Sequence, residues 1–230
     1  MLDVAIRRPD GSTAVDWQHV GVRTAPPLPV ASALESLLPG GLRRGSTVSV
    51  SGSMSLLLAL VGAASADGAW CALVGFPRIS AEAASGYGAD LRRLALVPAP
   101  DAVAGGWVTA VGALLDAVDI VAARPPRGRG LVPGDVRRLA ARARSKDAVL
   151  VPFLSGDATW PGADVRLLAR AGAWSGAADG DGRLRSRQVE VTASGRGQAA
   201  RPRSTRLWLP DGDGSVRTAT PLAPVVELAG

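Results

Sequence analysis

Apolar and polar positions along this chain alternate between two periods, and most of its first two thirds reads as strand followed by helix. Val30, Leu34, Leu37 and Leu38 recur at helical spacing, and Pro39-Gly40-Gly41 closes that helix. A short β-branched strand is predicted at Thr47 to Val50. Ser53 stands where it caps the next helix, whose run Leu56, Leu57, Leu58, Leu60 and Val61 is apolar all round and therefore buried. Trp70 to Val74 and Leu94 to Val97 read as the second and third strands, with a helix over Ser80 to Ser85 between them. Trp107 to Ala117 is helical and Val118 to Ala123 a fourth strand. A helix from Pro133, a good first-turn residue, to Arg144 leads into a fifth strand at Ala148 to Phe153. Strands that are apolar throughout and alternate with helices predict a parallel sheet covered on both faces.

After Leu154 the pattern changes. Val165 to Ala169, Gln188 to Thr192 and Leu207 to Leu209 are shorter strands with no helix between them. Turn-rich segments, Asp179 to Gly182 and Asp211 to Gly214, separate them, so they read as hairpins or antiparallel additions to the same sheet. Residues 1–30 form an arm ending in the stiff run Ala25-Pro26-Pro27-Leu28-Pro29, residues 31–210 the core, and residues 211–230 a loose tail. His19 lies in the arm beside Trp17 without the Cys, Asp or second His that a metal site needs, so it reads as structural.

Composition narrows the class. Apolar residues make up 47% and charged residues 20% of the 230, which is globular and not disordered. No stretch reaches the roughly 18 apolar residues of a membrane span, and Met1 to Arg8 lacks the apolar run of a signal peptide. Cys71 is the single cysteine, so no internal disulfide forms, and a cytoplasmic location is expected. The net charge of +6 comes almost entirely from arginine, since Lys146 is the one lysine. Two readings of that charge stand: a solvated surface, or a face for an acidic partner such as nucleic acid or an acidic protein segment.

The run Leu34-Glu35-Ser36-Leu37-Leu38 through Gly40-Gly41-Leu42-Arg43-Arg44-Gly45 resembles the entry to the ATPase core of RecA-like recombinases. Gly88 to Leu94 and Leu114 to Val121 continue the likeness, which runs from about residue 31 to residue 210. It implies an α/β, RecA-like fold: a mostly parallel central sheet with helices on both faces and antiparallel C-terminal strands. A working P-loop is G-x-x-x-x-G-K-[ST], which rings phosphates with backbone N–H groups and supplies a lysine and a Mg²⁺-holding hydroxyl. Here Gly52, Ser53, Met54 and Ser55 form a degenerate loop, and neither an ungapped nor a shortened alignment supplies a cation. The catalytic glutamate of the family would follow the second strand, where Gly75-Phe76-Pro77-Arg78 stands. The Walker B aspartate would close the fourth, where Ala123 and Arg124 stand. A bare helix N-terminus favours an anion by at most ~2 kcal/mol. Micromolar nucleotide affinity takes about 8 kcal/mol. No catalysis, no cofactor and no metal are therefore expected.

A RecA-like core without these groups resembles the ImuA-prime branch of the ImuA/SulA-like group, accessory factors of the actinobacterial mutasome. The resemblance implies DNA-repair work in the SOS response: binding an ImuB-like polymerase adaptor and, through it, an error-prone polymerase in translesion synthesis. It also leaves open self-association through the N-terminal arm, weak direct contact with DNA, and a SulA-like role as a cell-division inhibitor. In RecA-like proteins a DNA-binding loop follows the Walker B strand, which makes Arg127 and Arg129 candidates for nucleic-acid or partner contact. Arg185 and Arg187, in the basic stretch Arg183 to Arg206, are the other candidates. Trp208, just past its end, is the one aromatic near that stretch, so a base-stacking platform is not evident there. Arg137, Arg138, Arg142 and Arg144 fit the outer face of a sheet-covering helix. Trp107, Trp160 and Trp174 lie near loops, where an exposed one would suit a protein partner.

Overall fold

Continuous apolar strands need cover on both faces, and β1 (Val48–Ser51), β2 (Cys71–Val74), β4 (Ile120–Ala123) and β5 (Val149–Leu154) are buried at every position. The computed structural model describes residues 25–100, 106–126, 132–156, 158–170, 172–178 and 181–219. With β3 (Leu94–Val97), β6 (Val165–Arg170), β7 (Trp174–Ala178), β8 (Asp181–Gly195), β9 (Arg203–Trp208) and β10 (Arg217–Thr218) they make a ten-stranded sheet. The order is β10-β9-β8-β6-β1-β5-β4-β2-β3, with β7 pairing β8 off that path. Strands β1 to β6 run parallel to their neighbours in that group, and β7 to β10 are antiparallel additions.

Two layers cover the parallel part. α1 (Met54–Ala66) and α2 (Ala81–Gly86) lie on one face with the segment around Leu34, Leu37 and Leu42, packing onto Val50, Leu73, Val151 and Leu167. α3 (Gly106–Leu115) and α4 (Pro133–Ser145) lie on the other, packing onto Val74, Val121 and Leu150. Trp107 and Trp160 are buried there against each other, 6.4 Å between ring centroids. α4 turns Val136, Leu139 and Ala143 inward. Two of its four outer arginines are tied locally, Arg138 to Asp135 and Arg142 to Asp116, whose carboxyl the Arg142 hydrogen bonds hold below the usual range. No helix among the described residues is long and apolar enough to cross a membrane. Cys71 is wholly buried at the start of β2, and burial, with Asp119 nearby, pushes its thiol up to about 12.

Four expectations change. Val30 to Leu38 is not a regular helix but a 3-10 turn at Ser32–Leu34 followed by single turns; one cycle of helical spacing buries Leu34, Leu37 and Leu38 without a longer helix to carry them. β6 is parallel to β1, not part of a hairpin, with Val48 opposite Val165 and Ser51 opposite Leu168. β7 and β10 add strands that the pattern did not mark. The packed body also exceeds residues 31–210: Leu28 bridges Leu42, and β10 pairs β9 within the segment read as a loose tail. His19 and most of the arm lie outside the described residues.

Candidate functional site at the carboxyl edge of the sheet

In open α/β sheets ligands bind beyond the carboxyl ends of the parallel strands. At that edge only Gly52 and Ser53 separate β1 from α1. Gly52 has φ 85°, and a Cβ there would overlap the carbonyl oxygen of Ala169 in β6, so the link is glycine by necessity. Ser53 is extended, with φ −150°, and caps α1: its Oγ accepts a 3.3 Å hydrogen bond from the Leu56 N–H. A link this short has no backbone left over to ring a phosphate.

A cation does reach this loop, from elsewhere in the chain. Arg187 of β8 donates from Nη2 to Ser53 Oγ at 3.1 Å, and its guanidinium lies 5.2 Å from the Trp174 ring centroid. Tyr87, at the end of α2, packs against the first turn of α1. Burial raises its phenol, while the Ser55 hydroxyl and the Arg187 charge pull in the opposite direction. The arginine therefore bonds the capping serine and faces an aromatic ring together, while its buried Nε has no hydrogen-bond partner among the described residues.

The ends of β2, β4 and β5 form a second cluster. Phe76 follows β2, Arg124 follows β4, and Phe153 lies within β5. The Arg124 guanidinium stands 4.9 Å from the Phe76 centroid and 5.1 Å from that of Phe153, and the two rings are 5.7 Å apart. Contacts of this kind, partly desolvated, contribute up to about 2 kcal/mol each. A fixed positive charge at the end of β4 opposes a divalent cation there, since Mg²⁺ takes anionic oxygen ligands.

The predicted residues are thus only partly gathered. Gly52, Ser53, Met54 and Ser55 make one turn, and Arg187 joins it. Arg185 is exposed two residues earlier and does not. Arg127 and Arg129 lie outside the described residues. Of the three tryptophans near loops, Trp174 alone is open, at 44% exposure. Sequence reasoning missed the Phe76–Arg124–Phe153 stack and the reach of Arg187, which crosses 134 residues. Parallel pairing of β2, β4 and β5 creates the first, and the β8 register the second; neither leaves a local signal.

Comparison with known proteins fits this geometry. The family model described as the MT3502 N-terminal domain matches residues 36–162. Protein Rv3395c of Mycobacterium tuberculosis is 38% identical over 137 residues, which is 58% of this chain and 64% of that relative's length. The crystal structure of the RadB recombinase is similar with a TM-score of 0.60 at 14% identity, covering 82% of this chain and 97% of that one. The fold is RecA-like.

Proposed function

From a chain that belongs to the MT3502 N-terminal domain family and folds like a RecA-type core, we propose a non-catalytic accessory subunit. In this reading it serves the ImuA-prime role in DNA-damage-induced mutagenesis, holding an ImuB-like polymerase adaptor and supporting error-prone synthesis across lesions. The observation that carries the reading is the occupied carboxyl edge: Arg187 on the capping Ser53, and Arg124 between Phe76 and Phe153. Arg187 takes space over the loop between β1 and α1, and the Arg124 charge at the end of β4 opposes the metal ion that a nucleotide brings.

Free energy supports the same conclusion. The α1 N-terminus offers an anion about 0.3–1 kcal/mol. Micromolar nucleotide affinity requires about 8 kcal/mol. No lysine stands in the Gly52 to Ser55 turn to make up the difference.

Titration calorimetry of the full chain with MgATP is expected to show no heat of binding into the millimolar range. Micromolar, magnesium-dependent affinity would sink the non-catalytic reading. Co-purification with an ImuB-like adaptor is expected, while capture of a cell-division GTPase in its place would favour the SulA-like role. Removing residues 1–24 or 220–230, which leaves Leu28 and β10 in place, then locates the contact.

A further inference from the structure

The sheet half made by β6, β8 and β9 is covered on one face only. Leu167, Ala169, Val189, Val191, Leu207 and Leu209 are buried beneath it. Their sequence neighbours point the other way, because side chains alternate along a strand. The register then sets the open face in rows: Arg170 opposite Glu190, Glu190 opposite Arg206, and Gln188 opposite Trp208. Arg166, Arg170, Glu190 and Arg206 are exposed, and Trp208 is half-buried among them. The two helices that cover this side of the parallel strands, α3 and α4, pack on β2, β4 and β5 and not here.

Chain geometry cuts a cleft into this face. Between β6 and β7, which pair in turn with the same strand β8, the backbone at Gly172 comes so close to β8 that a Cβ would overlap the Gln188 carbonyl oxygen. Beside this close approach lies a cleft of about 370 Å³ whose lining includes Gly172, Trp174, Gln188, Glu190, Arg206 and Trp208. Charge on the face is unbalanced. Some arginines elsewhere sit on carboxylates, Arg44 on Asp119, Arg92 on Asp90, Arg142 on Asp116 and Arg217 on Asp211, while others such as Arg78, Arg137 and Arg144 have none within 4.0 Å among the described residues. Arg166, Arg170 and Arg206 have no carboxylate within 4.0 Å among the described residues. The sequence between residues 165 and 209 holds nine arginines against three acids.

We propose that this open sheet face binds single-stranded nucleic acid, with a base stacked on Trp208 in the cleft and phosphates held by Arg170 and Arg206. Unpaired arginines around an accessible indole are the combination that single-strand binders use: electrostatics along the backbone and a π face for any base. Arg170 and Arg206 stand two strands apart, about 10 Å at the backbone, with long arms to follow a flexible strand. Glu190 between them repels phosphate and accepts hydrogen bonds, so it and Gln188 suit the edge of the base, where exocyclic amino groups donate. A duplex hides its base faces from such a cleft, and an acidic peptide has no flat ring for the indole while meeting Glu190 head-on. The site does not rest on the adaptor reading above, and it shares Trp174 with the Arg187 contact at the carboxyl edge.

Fluorescence anisotropy of the full chain with a labelled deoxycytidine oligomer, whose bases carry exocyclic amino groups, and with a duplex of equal length, tests the proposal over a salt series. The single strand is expected to bind the tighter. An Arg170→Ala/Arg206→Ala double variant should lose roughly ten-fold or more in affinity and flatten the slope of log K against log salt by about 1.4, at ~0.7 per phosphate. Arg170→Lys/Arg206→Lys should keep that slope. Trp208→Ala should lose roughly five-fold or more with the slope unchanged, and Trp208→Phe should recover most of the loss. Equal affinity for duplex, wild-type binding by the alanine variants, or displacement by poly-glutamate as effective as by the oligomer each overturns it.

Discussion

The two halves of the sheet are built on different terms. In β2, β4 and β5 every position is buried between α1 with α2 on one side and α3 with α4 on the other. In β6 and β9 burial alternates, and the outward positions carry arginine, serine and tryptophan. A strand sealed on both faces has no freedom beyond packing. A strand sealed on one face can vary its other side at little cost to stability. In this chain the half that would host a nucleotide is closed by its own side chains, while the half with no helix over one face presents unpaired cations. In the readings proposed above, binding chemistry lies on the face of the antiparallel strands and not at the edge of the parallel ones.

The sharpest way to break that contrast is to truncate a leucine in each half. Leu57 in α1 is fully buried, and Leu57→Ala is expected to cost about 2–5 kcal/mol in urea unfolding. Leu168, half-buried on the open face of β6, should cost about 1 kcal/mol or less on the same change. Equal losses would mean the two halves share one packed core on both sides. The seam between the halves comes next. Gly52→Ala forces a side chain into a left-handed turn against Ala169 and is expected to cost about 2 kcal/mol or more. A neutral result in thermal or urea unfolding would show that β1 and β6 can part there without penalty.

The smallest effect is in acid, at the outer edge. Asp211 is nearly buried in the turn between β9 and β10. Burial opposes its ionisation, yet the Ser215 N–H and hydroxyl, the Asp213 N–H and the Arg217 charge together leave its carboxyl below the usual value. A carboxyl with a lowered folded pKa stabilises fully above its unfolded value, about 3.9 for aspartate, and loses that contribution as pH falls through the folded one. The unfolding midpoint of Asp211→Asn should therefore fall less steeply below about pH 4 than that of the parent. Parallel acid limbs would remove Asp211 as an anchor of the one-sided half.

How legible all this was follows from the same division. The sealed strands announce themselves, since runs such as Val149 to Leu154 have no other place to go. So does α1, whose leucines face every direction and whose Ser53 cap is local in sequence. In β6, Val165, Leu167 and Ala169 alternate with Arg166, Leu168 and Arg170, which tells that one face is open and nothing about direction. Direction came from the connection after β5, and the strand proved parallel. β7, Trp174-Ser175-Gly176-Ala177-Ala178, lacks the β-branched residues that mark a strand and is held by pairing with β8 alone. The absence of a P-loop lysine needed only counting. The contact made to that turn, Arg187 on Ser53, needed the register of a strand more than a hundred residues away.

Cys71 gives the sealed half a property of another kind. With its thiol pushed up to about 12 and no exposed surface, Cys71 stays protonated at neutral pH and out of reach of reagents. The folded chain is thus mute toward alkylating reagents, and any label it acquires is a record of time that β2 spent open. Because there is one cysteine in the whole sequence, that record has a single author: the chain carries its own clock for the unsealing of its centre.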